Sequence, residues 1–208
     1  MLMTRRTIGW LAATLLSFAA LGAHAQAKAP EALIKEVSTD VLDAVKADKT
    51  IRAGDLSKVI ALVDQKVLPY VNFQRMTASA VGRYWRQATP EQQKRLQEEF
   101  KLLLVRTYSG ALSQVSAEQT VELKPMRSSP TDTEVVVRTE IKGKGDPIQL
   151  DYRLEKAGDS WKIYDVNVLG VWLVENYRNS FAQEIGANGI DGLIAKLAER
   201  NKSAAAKS

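Results

Sequence analysis

After Glu118 the apolar residues of this chain change period, and that change restricts its architecture more than any other feature. From Glu31 to Val115 they recur at three- and four-residue spacing, the period of an amphipathic helix. Between Val121 and Val168 they alternate with polar residues, the period of a half-buried strand. From Val171 the helical period returns. A chain written this way folds as α+β, with helices before and after a sheet whose buried face they cover.

The spacing places the elements. Leu33, Ile34, Val37, Val41, Leu42 and Val45 mark a first helix. Leu56, Val59, Ile60, Val63 and Val67 mark a second, and Pro69 ends it because proline disfavours a helical residue before it. Asn72 caps a short helix carrying Phe73, Met76 and Ala80, with Gly82 at its end. Thr89-Pro90-Glu91-Gln92 is a capping box with proline at the first helical position. It predicts one long helix over residues 90–115, roughly 39 Å at 1.5 Å per residue. Four strands follow, around Val121–Leu123, Val135–Ile141, Ile148–Leu154 and Trp161–Val168. Turns at 143–146 and 157–159 join the last three. Such a four-stranded antiparallel meander is wet on one face and buried on the other. A helix over Val171–Ile185, a loop at 186–189 and a last helix over Ile190–Leu197 complete a single domain of residues 26–200. Residues 201–208 read as a disordered tail.

The first residues read differently. Arg5 and Arg6 precede an apolar run from Ile8 to Leu21, and Ala23-His24-Ala25 follows. This is the pattern of a secretory signal peptide, residues 1–25, cleaved near Ala25. The run is shorter than the roughly 20 residues of a spanning helix. Cleavage lowers the net charge of +5 by two, which argues against nucleic acid. It also removes His24, the only histidine of a chain without cysteine. The mature chain therefore lacks the parts of a Ser-His-Asp or Cys-His site and of a His/Cys zinc site. The expectation is no enzyme, no metal and no cofactor.

The carboxylates left over, among them Asp151, Glu155, Asp165 and Glu175, read as solvated surface charge. Large apolar side chains are more informative. Phe73, Met76, Tyr84, Trp85, Phe100, Tyr108, Tyr152, Trp161, Trp172, Tyr177 and Phe181 fall on inward stripes or beside them. Taken singly, each is most simply a core filler. Together, with few polar groups among them, they suit a dry space between helices and sheet that takes apolar ligands.

Two stretches narrow the reading. Val67-Leu-Pro69-Tyr-Val71-Asn-Phe73-Gln-Arg-Met76 is followed by Val81-Gly82-Arg83-Tyr84-Trp85-Arg86-Gln-Ala-Thr89-Pro90-Glu-Gln92, then Phe100, Tyr108 and Leu112. Later comes Asp165-Val-Asn-Val-Leu-Gly170-Val-Trp172-Leu-Val-Glu-Asn-Tyr177-Arg178-Asn-Ser-Phe181, ending in Gly189-Ile-Asp191-Gly192-Leu193. In order and spacing these resemble the periplasmic MlaC family, from about Glu31 to Leu197. Leu169 and Trp172 depart from it, standing where many members carry an acidic and a small residue.

The resemblance implies a phospholipid carrier of NTF2-like character, exported to the periplasm. It implies a monomer that moves lipid between an outer-membrane lipoprotein–porin complex and an inner-membrane ABC transporter with a membrane-anchored hexameric MCE-type protein, keeping the outer membrane asymmetric. An envelope scaffold of NTF2-like fold without lipid is the alternative. For the carrier, an acyl-chain wall is expected from Val67, Val71, Phe73, Met76, Val81, Tyr84 and Trp85, and from Phe100, Leu103, Leu104 and Tyr108 on the long helix. The sheet would add Val137, Leu150, Tyr152, Trp161, Ile163, Val166 and Val168. The returning chain would add Val171, Trp172, Val174, Tyr177 and Phe181, with Trp172 narrowing the pocket and Arg83, Arg86 or Arg178 near a phosphate.

Overall fold

A computed structural model describes residues 28–129 and 131–205 of the chain. The expected signal peptide lies outside these residues. Helix α1 spans Pro30–Ala47 and buries Leu33, Ile34, Val37, Leu42 and Val45. The Asp48 carboxylate then caps the short α2, Lys49–Arg52, by accepting from the Thr50 amide at 2.8 Å. Asp55 caps α3, Leu56–Leu62, in the same way. The chain continues through a π turn, Val63–Val67, and a 3-10 turn around Pro69. Asn72 caps α4, Phe73–Val81, through the Arg75 amide at 3.0 Å, and Gly82 closes it with φ 65°.

Helix α5 spans Pro90–Tyr108, and the Thr89–Gln92 capping box forms in both directions. It is shorter than the helix expected over 90–115. Residues Ser109–Gln114 tighten into a 3-10 turn instead. Gly110 weakens the helix there, and the hydroxyls of Ser109 and Ser113 bond to the carbonyls of Arg106 and Gly110 three residues back.

The sheet is an antiparallel meander in the order β1-β2-β3-β4-β5: Thr120–Leu123, Glu134–Lys142, Ile148–Ala157, Ser160–Val168 and Val171–Trp172. It has five strands rather than four. Val171 and Trp172, expected at the start of a helix, pair with Val168 and Asn167 instead. Leu169 and Gly170 turn the chain between them with φ 51° and 91°. Two successive positive φ values give a two-residue hairpin the twist that its strands require.

A bulge in β4 sets which side chains face inward. Leu154 pairs with Ile163 and Arg153 with Asp165, so Tyr164 is an extra residue. Trp161 and Ile163 face inward before the bulge, Val166 and Val168 after it.

Helix α6 runs from Leu173 to Ala205, bent at Gly189, where φ 71° and ψ 179° leave the helical region. A loop was expected over 186–189; the structure bends at one residue only. The tail expected from Asn201 also begins as helix. Asn201 is buried, and its side chain donates to the Glu99 carbonyl at 3.0 Å and carboxylate at 2.8 Å.

Among the described residues, three apolar clusters hold the domain together. One joins α4, α5 and α6 around Phe100, the second packs α1 on the sheet, and the third joins α1, α2, α3 and the end of α5.

Candidate functional site

A cavity of about 360 Å³ lies between the three clusters. That size falls within the roughly 300–1,000 Å³ of small-molecule sites. Val59, Val63, Val67 and Leu68 line it from α3 and the turns that follow. Val71, Phe73 and Met76 line it around the start of α4, and Leu104, Val105 and Tyr108 on α5. Ala111, Leu112 and Val115 continue that wall where the helix tightens. The sheet adds Ile141, Ile148, Leu150, Val166 and Val168, and Leu173 opens α6 beside them. Burial pushes the Tyr108 phenol above its ordinary pKa, with the nearby Tyr177 adding to the shift.

Strand register explains why the space sits where it does. Ile141 pairs with Ile148, and Leu150 with Val168, at one end of the inner face. At the other end, Val135, Val137, Leu154, Trp161 and Ile163 pack solidly with Leu33, Ile34 and Val37 of α1. Helix α1 therefore fills one half of the face and leaves the other half to the cavity. Many lining residues, including Val63, Val67, Leu68, Val71, Leu104 and Leu150, are only half-buried. The surface they keep faces this space. Water gains little from a wall that offers so few partners.

The residues expected at an acyl-chain wall divide accordingly. Val67, Val71, Phe73, Met76, Leu104, Tyr108, Leu150, Val166 and Val168 line the cavity. Val81, Phe100, Leu103, Val174, Tyr177 and Phe181 lie instead in the solid helical core, with Tyr84 and Trp85 packed against it. There the Phe100 ring meets Tyr177 and Phe181 edge-on at 5.1 and 5.2 Å. Val137, Tyr152, Trp161 and Ile163 belong to the sheet–α1 packing, and the Tyr152 hydroxyl lies 3.2 Å from Ser38 Oγ. Helical and strand periods mark which side chains point inward; they do not distinguish a packed neighbour from a void.

Trp172 and Val171 require a larger correction. The hairpin puts Trp172 in register with Asn167, whose neighbours Val166 and Val168 are the ones that line the cavity. Trp172 is thus on the outer face, its ring under the Arg153 guanidinium at 3.9 Å, and does not narrow the cavity. Val171 is exposed, and Leu169 forms the exposed tip of the turn. Arg83 and Arg178 flank a separate groove beside Tyr84, with Arg178 Nε donating to the Ser79 carbonyl at 3.0 Å. Neither they nor Arg86 line the cavity.

Asp165 and Asp151 are not the solvated carboxylates expected; Asp165 is 1% exposed and Asp151 6%. Asp165 Oδ1 accepts from the amides of Val166 at 2.9 Å and Val174 at 3.1 Å, and Arg153 Nη1 donates to Oδ2 at 3.0 Å. It anchors the first turn of α6 to the sheet. Burial still pushes its carboxyl above the ordinary value, outweighing the Val174 amide and the Arg153 charge.

Sequence reasoning missed part of the wall. Val59, Val63, Leu112, Val115, Ile141 and Ile148 were legible as apolar stripe residues, but the polar lining residues Lys101, Ser109 and Gln119 carried no signal. Among the described residues, no group of three or more His, Cys, Asp or Glu is placed to hold a metal ion, and no helix is long and apolar enough to cross a membrane.

Comparison with known proteins agrees with this geometry. A family model described as MlaC protein matches residues 35–199. A toluene tolerance protein, ttg2D of Pseudomonas putida, is 27% identical over 185 residues, covering 86% of each chain. The intermembrane phospholipid transport system binding protein MlaC of Haemophilus influenzae is 24% identical over 172 residues, covering 81% of this chain and 80% of that one. Among solved structures, a phospholipid-binding protein of Ralstonia solanacearum in complex with a phospholipid is 49% identical, with a TM-score of 0.80. The match covers 84% of this chain and 98% of that one.

Proposed function

The chain belongs to the MlaC family, and from that premise we propose that it is a periplasmic phospholipid carrier. The observation that carries the reading is the cavity, walled by valine, leucine, isoleucine, phenylalanine and methionine with almost no polar partner. The 49% identical protein that holds a phospholipid supports it.

The chemistry is transfer without catalysis. Each methylene drawn into water costs about 0.8 kcal/mol. A diacyl lipid of about 30 methylenes therefore faces roughly 24 kcal/mol if fully exposed. A cavity as apolar as a membrane interior removes most of that barrier. Acyl chains would lie against Leu104, Leu150, Val166 and Val168, with the head group toward water. Affinity need only match that of the bilayer, so that the lipid is released again.

In this reading the leader ending near Ala25 is removed on export. The carrier then works as a monomer between an outer-membrane lipoprotein–porin complex and an inner-membrane ABC transporter with its hexameric MCE-type protein, and so maintains outer-membrane lipid asymmetry. No catalytic step and no cofactor is assigned. Organic extraction of the purified protein, followed by lipid mass spectrometry, tests the core of the proposal. Phospholipid at a fixed ratio to protein is expected. Protein that yields none, and takes up none from labelled vesicles, would end the carrier reading in favour of a lipid-free scaffold.

A further inference from the structure

Among the described residues, Lys101 is the one charged side chain that lines the cavity. It stands on α5 three and four residues before Leu104 and Val105, so helical spacing puts all three on one wall. Its Nζ donates to Asp64 Oδ1 at 2.8 Å. Asp64 belongs to the π turn, flanked by Val63 and Val67, which also line the cavity. The Asp64 side chain is 43% exposed and the Lys101 side chain 24%. The ammonium is therefore held where the apolar wall meets water, with its carboxylate on the wet side.

A half-exposed ion pair of this kind is weak and exchangeable. An acyl chain seated on Leu104 and Val105 brings the polar end of its molecule to this rim. A phosphate there meets the Lys101 ammonium, already oriented and only lightly held. Tyr108, Ser109 and Gln119, the other side chains of the lining with polar atoms, are neutral and do not compete.

We propose that Lys101 is the phosphate contact for the bound lipid and that Asp64 is its exchange partner, holding the ammonium between loads and giving way to the phosphate. The proposal rests on the carrier reading and adds to it a residue that discriminates phosphorylated from unphosphorylated diacyl lipid. Asp64 also keeps the contact reversible, because the carboxylate reclaims the ammonium as the lipid leaves.

The test loads purified protein from vesicles containing equal amounts of dioleoyl phosphatidylglycerol and dioleoylglycerol. The two share acyl chains and differ in the phosphate. Bound lipid is measured by mass spectrometry for the parent protein and for Lys101→Gln, Lys101→Arg and Asp64→Asn. Loss of one charge-assisted contact should lower the phosphatidylglycerol-to-diacylglycerol ratio roughly tenfold in Lys101→Gln. Lys101→Arg should restore the ratio, and Asp64→Asn should raise it above the parent value. Ratios unchanged in both Lys101→Gln and Asp64→Asn would overturn the proposal, and Asp64→Asn alone decides if Lys101→Gln does not fold. Parent protein that loads neither lipid would remove the carrier reading itself, a distinguishable result. Inorganic phosphate, titrated alone and followed by calorimetry, should give no saturable binding. Saturable binding lost in Lys101→Gln would make this a free-anion site and overturn the lipid assignment.

Discussion

Leu150 and Val168 are register partners across β3 and β4, and both line the cavity. Leu154 and Ile163 are partners on the same face of the same strands, yet they are packed solid against α1. One sheet face thus supplies both a wall and a core, and the difference is made by which half of the face Leu33, Ile34 and Val37 of α1 cover.

That contrast gives a paired experiment. Leu154→Ala opens a void at a site with no exposed surface and should cost about 2–5 kcal/mol in denaturant unfolding. Leu150→Asp adds a charge to the cavity wall, where the side chain is already only half-buried. It should reduce lipid uptake from labelled vesicles several-fold while the unfolding midpoint moves less than in Leu154→Ala. The reverse order of effects would show that position 150 is ordinary core.

Phe100 was expected at the lipid wall, and the structure packs it between Tyr177, Phe181 and Phe73. Phe100→Ala should cost about 3–5 kcal/mol, as large-to-small changes in cores do. Protein that stays folded at low temperature should still load lipid to the parent stoichiometry. Loss of loading with intact stability would place the ring on the cavity after all.

Trp172→Ser separates the outer face from the inner one. It removes a ring stacked under Arg153, a contact worth about 0.5–1 kcal/mol at a partly exposed site. The profile of bound lipids should be unchanged, because Leu173 and not Trp172 lines the cavity. New or bulkier lipids in the extract would contradict the hairpin register that turns this ring outward.

What was legible in the sequence, and what was not, follows from these positions. Both capping residues named from the sequence, Asn72 and Thr89, cap their helices, because capping chemistry is local. The alternation that marked β2 and β3 is likewise a property of single strands. In β4 the inward residues pass from 161 and 163 to 166 and 168, a slip of one that already encodes the bulge at Tyr164. The hairpin at Leu169 was hidden because leucine rarely takes φ near 51°, a value that asparagine, aspartate or glycine would have advertised. The cavity was hidden for a different reason. Whether Leu104 faces a void while Leu103 faces the packed core depends on how three clusters meet, which no single stripe records.

Two carboxyls should respond to pH with opposite sign. Glu134 accepts from Arg75 at 2.6 Å, which, with the Tyr164 hydroxyl, holds its carboxyl below the ordinary 4.5. The stability it adds is present above 4.5 and is lost as pH falls through the lowered value in the folded state. Asp165 is the converse. Burial raises it above 3.8, so the folded state holds this proton more tightly than the unfolded chain does. Its favourable contribution is complete below 3.8 and is lost as pH rises through the raised value. Glu134→Gln should therefore match the parent Tm in acid and fall below it toward neutral pH. Asp165→Asn keeps a side-chain oxygen for the Val166 and Val174 amides but cannot ionise. It forgoes the Arg153 ion pair, which burial already outweighs in the ionised parent, so its Tm should rise relative to the parent as pH increases from below 3.8 toward neutral. Thermal unfolding of the three proteins across that range checks both slopes. If the Asp165→Asn difference runs the same way as that of Glu134→Gln, the Arg153 ion pair outweighs burial at position 165.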